Sequence, residues 1–499
     1  MYAFIGAVWL VLIGRVIPDL HRDHSVFVSI AERLIAGDRL YSGAWDNKDP
    51  LFYWILAMGR YVSPYADVVI EILWLLLACF SVRSMMTHLS FAKRVTTAFA
   101  FGVTPIILTG GMYVPGLTHL PAEALILAST ALALKNKYLI AGLVLSTLAM
   151  EKLILTPVAV IAVAVVLHFG EQSQSLRKLI RDFGFGIFGG LAFWMFVLFY
   201  RHELGPYFYA QKLNFLYANS GAGRHALSDA LGPIFRHYLQ TVSTSTIIIV
   251  PLLIGYLIIT KFDPRKRFTT KTLTATQNLL WYLALSTFIM STAILFVAGI
   301  WTHHAQIYYV PAVFAGLLFT SRLFGNIEKI SAKEIAILTV LALLLGGVVY
   351  PNQYLQSSRT AVEQIKSLGK ISPLTQELLT RGQSGTYARA GSNGDLGHAY
   401  GLRSWHLACA RFNQYSFDPP QLLKKDTNCL SKAKYILVTP GVYEKPEPDA
   451  QNATTSTNQD FNNFVTDFRA LLATSYTCKK YTYPAEPTAT GYICEKRTP

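Results

Sequence analysis

Long apolar runs separated by short polar connections dominate the first 350 residues. Uncharged stretches of roughly 17–20 residues, the length that crosses a bilayer core as a helix, recur through this region. They lie near 2–20, 66–82, 98–113, 121–134, 138–150, 153–169, 183–200, 242–260, 279–298, 307–321 and 335–350. The pattern predicts an all-α polytopic membrane domain over residues 1–350, with about 11 transmembrane helices.

The chain changes character after Tyr350. The segment KAKYILVTP (432–440) is a short apolar run bounded by turn residues, and YTCKKYTY (476–483) with ATGYICEK (489–496) has the pattern of paired strands. FNNFVTDFRALLAT (461–474) has helical periodicity, and the polar stretch 444–460 is typical of a loop. We therefore expect a small α/β domain over residues 351–499.

Composition and charge are consistent with this division. Hydrophobic residues make up 52% of the chain, charged residues only 15%, and the mean hydropathy is +0.35, which excludes a single soluble globule. Lysines and arginines fall in alternate connections, as short cytoplasmic loops require. The prediction is a cytoplasmic amino terminus, with the loops 21–65, 109–121, 201–240 and 299–306 and the tail outside. The net charge of +15 is then a topology signal and does not indicate nucleic-acid binding.

Cysteine positions favour the same orientation. Cys79 lies in a predicted span, whereas the other four cysteines lie beyond residue 400. Two disulfides in an oxidising compartment would account for them, and free thiols in a cytosolic tail are the alternative. Sequence does not fix the connectivity, although Cys409–Cys429 and Cys478–Cys494 would close the shortest loops.

The first outer loop contains an acid followed by an amphipathic helix. Phe27, Ile30 and Leu34 form one apolar helical stripe, Gly37 is a C-terminal stop, and such a helix would lie along the membrane surface. Asp23 comes just before the first turn. It is either a helix cap or a group with a chemical role at the lipid boundary, and capping does not exclude catalysis.

Several motifs in this order resemble one family of membrane enzymes. The chain is similar to GT-C-fold glycosyltransferases of the protein O-mannosyltransferase and lipid A aminoarabinose transferase superfamily. The matching elements are Asp23-His24, the helix 25–36, the turn Gly37–Tyr41, the segment Trp45–Leu51, AGLVLSTLAMEKLILTP (141–157) and HHAQIYYVPAVFAGLL (303–318). The chain departs from the family where Asp-Glu is replaced by Asp23-His24 and Pro-Pro by Asp49-Pro50.

The resemblance implies a reaction. Members of the superfamily transfer a sugar from a polyprenyl-phosphate donor to an extracytoplasmic acceptor, usually with inversion at the anomeric carbon. The acceptor hydroxyl must lose a proton, for which Asp23 is the expected general base. Lys48 is expected to bind the departing phosphate, although a lysine snorkelling at the interface is the plainer interpretation.

Further residues are candidates for the same site. His304, Arg224 and Lys152 are candidate phosphate ligands, and candidates for substrate binding are His24, Tyr41, Trp45, Asp46, Glu123 and His303. Each has a structural alternative: an interfacial histidine, a member of the aromatic belt, or a hydrogen bond between helices. Arg224 lies in the loop 201–240, which has the composition of a lid.

No cofactor is certain from the sequence. Asp23 and Glu123 would be the ligands if Mg²⁺ or Mn²⁺ took part. The expected partners are the membrane, a polyprenyl-phosphate-linked sugar and a glycan, lipid or protein acceptor. A transporter or flippase of lipid-linked sugars and a non-catalytic envelope assembly protein remain as alternatives, and no duplicated halves of the kind found in transporters are visible.

Overall fold

A computed structural model describes residues 2–14, 16–18, 23–109, 113–170, 175–219, 274–298, 302–324, 373–390, 402–411, 420–438, 455–483 and 486–497. The predicted spans 242–260 and 335–350 lie outside these ranges, and so does the predicted polar loop as far as residue 454.

Helices account for most of the described residues. In chain order they are α1 Tyr2–Ile13, α2 Asp23–Ile35, α3 Pro50–Val62, α4 Ala66–His88, α5 Lys93–Ala98, a π-helix Phe99–Val103, α6 Thr104–Leu108, α7 His119–Leu134, α8 Tyr138–Lys152, a 3₁₀ turn Leu153–Leu155, α9 Thr156–Phe169, α10 Leu176–Tyr200, α11 Leu204–Asn219, α12 Ala275–Ala298, a 3₁₀ helix Thr302–Tyr308, α13 Tyr309–Phe324, α14 Pro373–Thr380, α15 Pro420–Leu430 and α16 Thr455–Ser475. The strands are β1 Thr386–Ala390, β2 His406–Leu407, β3 Tyr435–Val438, β4 Tyr476–Tyr483 and β5 Glu486–Lys496.

Four helical runs among the described residues are long and apolar enough to cross a membrane. They are Ala66–His88, Tyr138–Phe169, Leu176–Tyr200 and Ala275–Leu295. The predicted spans 138–150 and 153–169 fall within one of these runs, which is interrupted at Lys152 (φ −159°, ψ 83°). The predicted spans near residues 2, 98 and 121 correspond to shorter helices. The membrane character of the chain is thus supported, and the count of about 11 spans stays a prediction.

The chain divides into two compact units. Unit 1 comprises residues 1–17, 68–194 and 226–363, and unit 2 comprises residues 18–67, 195–225 and 364–499. The first outer loop therefore belongs to the same unit as the tail, although more than 300 residues separate the two in sequence.

Close contact between α8 and α10 depends on small residues in unit 1. A Cβ on Gly186 would lie 2.1 Å from the carbonyl oxygen of Leu139, and one on Gly142 would lie 2.4 Å from that of Phe183. These glycines let the two backbones approach, which is the usual basis of helix association in membranes, where lipid removes the hydrophobic driving force.

The tail contains a five-stranded mixed sheet in the order β2-β1-β3-β5-β4. The pairs β1–β2 and β1–β3 are parallel, and β3–β5 and β4–β5 are antiparallel. All four residues of the central strand β3 are buried, because both faces of the sheet are covered. Ile436 packs with Phe468 of α16 on one face, and Leu437 lies in the cluster of Trp405 on the other. The strands predicted within 432–440, 476–483 and 489–496 and the helix within 461–474 are confirmed.

The tail contains two disulfides. They join the pairs of cysteines that close the shortest loops, as the sequence analysis suggested. Cys409, two residues after β2, bonds to Cys429 of α15. Cys478 of β4 bonds to Cys494, the residue directly opposite it on β5. The remaining cysteine, Cys79, is buried in α4.

We predict that Gly186→Ala lowers the free energy of unfolding by about 1–3 kcal/mol, because the added methyl group must push α8 and α10 apart. Gly184→Ala is the matched control, since its Cβ would meet nothing within 4 Å on the same helix. Denaturant titration in detergent micelles measures both. Equal stability of the two variants would contradict the close approach of α8 and α10.

Candidate functional site

The first outer loop of unit 2 has a well-defined start. Helix α2 ends in a Schellman motif: Gly37 has φ +96°, its N–H donates to Leu34 O (3.1 Å), and the Asp38 N–H donates to Arg33 O (3.0 Å). Gly37 is therefore the predicted helix stop. Tyr41 follows with φ +65°, a left-handed conformation that turns the chain toward Trp45.

A buried glutamate from the next part of unit 2 holds this turn. Glu203, with a fully buried side chain, accepts the Leu40 N–H at 3.0 Å and pairs with Arg201 at 3.1 Å. The Arg201 guanidinium in turn lies 5.3 Å from the ring centroid of Trp54 on α3. The turn after α2 is thus fixed by the segment that precedes α11.

Helix α2 is buried on both its apolar and its polar face. Val26 through Arg33 are all at most 5% exposed, including Glu32 and Arg33. Protein therefore covers the polar face that was expected to meet water along a membrane surface, and that face has to satisfy its charges internally.

A chain of buried ion pairs does so. The His24 Nε2 lies 3.0 Å from Asp67 Oδ2, which also pairs with Arg60 at 2.7 Å. Arg60 pairs with Glu32 at 3.0 Å, and Glu32 pairs with Arg403 of the tail at 2.7 Å. We call His24, Asp67, Arg60, Glu32 and Arg403 the charge chain. It links the first turn of α2 with the ends of α3 and α4 and with the tail.

The segment Trp45–Pro50 forms a loop that enters α3. Pro50 occupies the first turn of α3, where its missing N–H costs nothing, and Asp49 is the N-cap residue. The Tyr53 hydroxyl of α3 donates a short hydrogen bond to Asp46. The Tyr41 hydroxyl donates to the Lys48 carbonyl oxygen at 2.8 Å. The loop is therefore held from both sides by tyrosines.

One face of α11 completes the support of this loop. Gln211 and Tyr207 donate to Asp49 Oδ1 at 2.9 and 3.4 Å, and Asn214 donates to Asn47 O at 2.8 Å. Burial and the nearby Asp49 carboxylate raise the pKa of Tyr207, and burial with the same carboxylate raises that of Tyr41. Both hydroxyls are therefore protonated at neutral pH and available as hydrogen-bond donors.

Lys48 differs from the other cations of this region. Its ammonium donates to Asn47 Oδ1 at 2.5 Å and lies 6.0 Å from the ring centroid of Phe27, and the side chain is half-buried. Among the residues whose side chains the structure describes, which do not include Asp23, it has no carboxylate partner, whereas Arg33 and Arg60 each have one. A held ammonium without a counter-charge is suited to bind an anion.

Asp23 is the first residue of α2, where the helix dipole favours a carboxylate. Its side chain lies outside the described part of the chain, as do Arg224 and the side chain of His303. The neighbouring His24 is 2% exposed, and its bond to Asp67 fixes the backbone next to Asp23.

The remaining predicted residues lie in unit 1, around the start of α7. Glu123 is 1% exposed, and neither of its carboxyl oxygens has a hydrogen-bond partner among the described residues. Lys152 and Glu71 interact with it electrostatically. Lys152 donates to Thr118 Oγ1 at 2.9 Å, at the point where the helical run breaks. Glu71 accepts from Tyr113 and from the Gly116 N–H, at 2.6 and 2.8 Å.

Histidines and an amide add to this polar region. The rings of His119 and His304 are 5.8 Å apart. Gln306, fully buried on the same 3₁₀ helix as His304, has no hydrogen-bond partner for its side-chain amide within the described residues. An interior with unsatisfied polar groups of this kind is suited to a polar ligand.

A divalent metal ion would need several acidic or imidazole ligands close together. Among the residues whose side chains the structure describes, no three His, Cys, Asp or Glu are grouped as a metal site requires. Asp23 and Glu123 belong to different units.

Sequence reasoning found the loop but missed its supports. Asp23, His24, Tyr41, Trp45, Asp46 and Lys48 lie in unit 2, and Lys152, Glu123 and His304 lie in unit 1. Glu32, Arg60 and Asp67 were not anticipated. Their signal was charge at the ends of apolar helices, where a buried ionisable residue needs a partner.

The overall fold is similar to that of a protein of known structure. No family model and no curated protein matches the sequence. The crystal structure of ArnT from Cupriavidus metallidurans bound to undecaprenyl phosphate matches at 11% identity with a TM-score of 0.54, covering 99% of this chain and 97% of that one. The chain thus has the GT-C fold of that protein over its whole length.

Two oligosaccharyltransferase structures from Archaeoglobus fulgidus match more weakly. AglB in complex with an inhibitory peptide and a dolichol-phosphate has a TM-score of 0.39 and 12% identity, and the apo form has 0.43 and 12%. Each covers 98% of this chain and 74% of the other.

We predict that Arg60→Met lowers the free energy of unfolding by about 3–5 kcal/mol, because Glu32 and Asp67 would each lose a buried cation. Arg181→Met removes an exposed ion pair with Asp182 and should cost about 0–1 kcal/mol. Urea titration in detergent micelles, followed by tryptophan fluorescence, compares the two. Similar losses in both variants would mean that the charge chain contributes no more than a surface pair.

Proposed function

We propose that this chain is an integral membrane glycosyltransferase. It moves a hexosyl or pentosyl group from a polyprenyl-phosphate donor to an acceptor outside the cytoplasm, with inversion at the anomeric carbon. The GT-C fold, matched over nearly the full length of both chains, supports the enzyme class. The solved structure with this fold was determined with undecaprenyl phosphate, which makes a lipid-linked phosphate the natural first ligand to test.

The observation that carries the proposal is the state of Lys48. A half-buried ammonium that is held by Asn47 and Phe27, and is not neutralised by any described carboxylate, can stabilise the charge of a departing phosphate. A lysine that merely snorkels to the interface would have no need of a loop held by Tyr41, Tyr53 and α11.

The proposed reaction is a single displacement. The acceptor oxygen attacks the anomeric carbon as its proton passes to the Asp23 carboxylate. The bond between the anomeric carbon and the phosphate oxygen breaks, and its electron pair leaves with the polyprenyl phosphate. Lys48 holds that phosphate, and Lys152, His304 and Arg224 are proposed as further phosphate ligands.

The other candidates are proposed to form the substrate site. Trp45 and Glu123 would contact the sugar or acceptor together with His303. His24, Tyr41 and Asp46 already have partners within unit 2, which suits residues that hold the site in shape. The acceptor is a glycan, a lipid or a protein hydroxyl.

The proposed orientation has the amino terminus in the cytoplasm and the tail in an oxidising compartment. The two disulfides of the tail support this, because structural disulfides persist outside the cytosol. The distribution of lysine and arginine among the connections supports the same arrangement.

We predict that Asp23→Asn lowers kcat by about 10²–10⁴-fold, because the acceptor loses its general base. Lys48→Ala should lower kcat by about 10²–10³-fold, with partial recovery in Lys48→Arg. Purified protein is assayed with a panel of synthetic polyprenyl-phosphate sugars, products are detected by mass spectrometry, and NMR gives the anomeric configuration.

Two controls accompany this assay. Lys212→Ala removes an exposed lysine of α11, and Asp182→Asn removes an acid of a surface pair, so both should retain parent activity. Full transfer by Asp23→Asn and Lys48→Ala would refute the site. Absence of transfer by the parent chain from every donor would favour the alternatives, a flippase of lipid-linked sugars or an assembly protein.

We predict that Lys480→Cys is labelled by a membrane-impermeant maleimide in intact cells, whereas Arg177→Cys is labelled only after permeabilisation. Both positions are exposed, and the native thiols do not compete because Cys79 is buried and the rest are in disulfides. The reverse pattern of labelling would overturn the proposed topology.

A further inference from the structure

A short tail segment touches both parts of the first outer loop. Residues 402–411, here called the clamp segment, contact α2 at one end and Trp45 at the other. If the proposed function holds, these two parts carry the base Asp23 and the phosphate ligand Lys48. The inference below rests on that function.

The contact with α2 uses two adjacent residues of the helix. Glu32 pairs with Arg403 at 2.7 Å. Arg33 donates to the carbonyl oxygens of Leu402 and Trp405, at 3.0 and 2.6 Å. The clamp segment therefore binds α2 through two backbone carbonyl oxygens and one charged side chain.

The contact with the Lys48 loop is separate. The Trp45 N–H donates to Ala410 O at 2.7 Å, and the Arg411 guanidinium lies 5.1 Å from the ring centroid of Trp45. Arg411 is itself fixed by Asp426 at 3.0 Å. Lys48 follows three residues after Trp45, so its loop starts from this anchor.

The clamp segment is fixed within the tail. Cys409 ties it to α15, β2 pairs with β1, and Trp405 is 1% exposed in the core. A segment fixed at these points can hold two other elements at a set distance from each other, which a mobile loop could not do.

We infer that Arg403 is a positioning residue for the transfer reaction, contributed by the tail. Its side chain is 40% exposed, whereas the side chain of Glu32, which it binds, is fully buried. Arg403 therefore supplies the second cation for Glu32, while Arg60 is shared between Glu32 and Asp67.

Loss of Arg403 would weaken the ion pairs at the other end of the charge chain, around His24. Glu32 would then draw on Arg60 alone, and Asp67 would compete for the same guanidinium. Asp67 holds His24, the residue next to Asp23. The first turn of α2 would loosen without any change in the tail core or in the anchor of Lys48.

The test compares Arg403→Gln, Arg403→Lys and Arg381→Gln. Arg381 is the matched control because it pairs with Glu377 and Glu495 inside the tail. Arg403→Gln should lower kcat by about 10–100-fold, the scale of a misplaced catalytic group, with the donor KM changed less than about twofold. Arg403→Lys should recover most of the loss, and Arg381→Gln should stay near the parent.

A double variant identifies the route. Glu32→Gln/Arg403→Gln should be no slower than Glu32→Gln alone, because both substitutions break the same pair. Additive losses would show that Arg403 does not act through Glu32 and would overturn the inference. A raised KM with unchanged kcat would overturn it as well, since that result indicates direct contact with the donor.

Hydrogen exchange separates this inference from the proposed function. Amides of residues 24–35 should exchange faster in Arg403→Gln than in Arg381→Gln, whatever the activity of the parent chain. If the parent transfers no sugar but this difference is seen, the proposed reaction is refuted, whereas the conclusion that Arg403 holds α2 in place is supported. If exchange in α2 is the same in both variants, the positioning role of Arg403 is refuted.

Discussion

Glu32 lies in an interior where an isolated carboxylate costs several kcal/mol, and its two oxygens are held by Arg60 and by Arg403. Arg60 must also serve Asp67, which binds His24. Electroneutrality inside unit 2 thus demands that residues from three places in the sequence meet. The polar face of α2, the end of α3 and the tail assemble around this requirement, and apolar contacts such as Phe27 with Phe52 fill the rest.

The candidate site contains charged and polar groups that lack an acidic or a hydrogen-bonding partner among the residues whose side chains are described. The buried Arg33, Arg60 and Arg411 of unit 2 pair with acids, whereas Lys48 has no acid partner among the residues whose side chains are described. In unit 1, the carboxyl of Glu123 and the amide of Gln306 lack hydrogen bonds within the described ranges. Folding stability alone would have paired or removed such groups. The charged, polar substrate proposed above would supply partners for them.

Local sequence predicted what local physics decides. The stop at Gly37 follows from the need for a left-handed residue, and the strand β3 from four consecutive apolar residues. Helix α3, which begins at Pro50 within the predicted outer loop 21–65, was not anticipated. Local sequence could not predict pairings between residues that are distant along the chain. Nothing near Glu32 indicates Arg403. The apolar runs separated 138–150 from 153–169, but as two spans and not as one helical run with a break at Lys152. The segment 201–240, for which a lid is predicted, begins with α11, whose Gln211 and Asn214 hold the loop at Asp49 and Asn47. The lid stays a prediction.

The attachment of α2 to the tail through Arg33 and the Leu402 and Trp405 carbonyls limits how the protein can be rebuilt. A chimaera that grafts the tail of a homologue onto this membrane portion would bring backbone acceptors and an arginine shaped for a different helix. Such exchanges should succeed only when α2 and the Trp45 turn are transferred with the tail, so the natural unit of recombination is discontinuous in sequence.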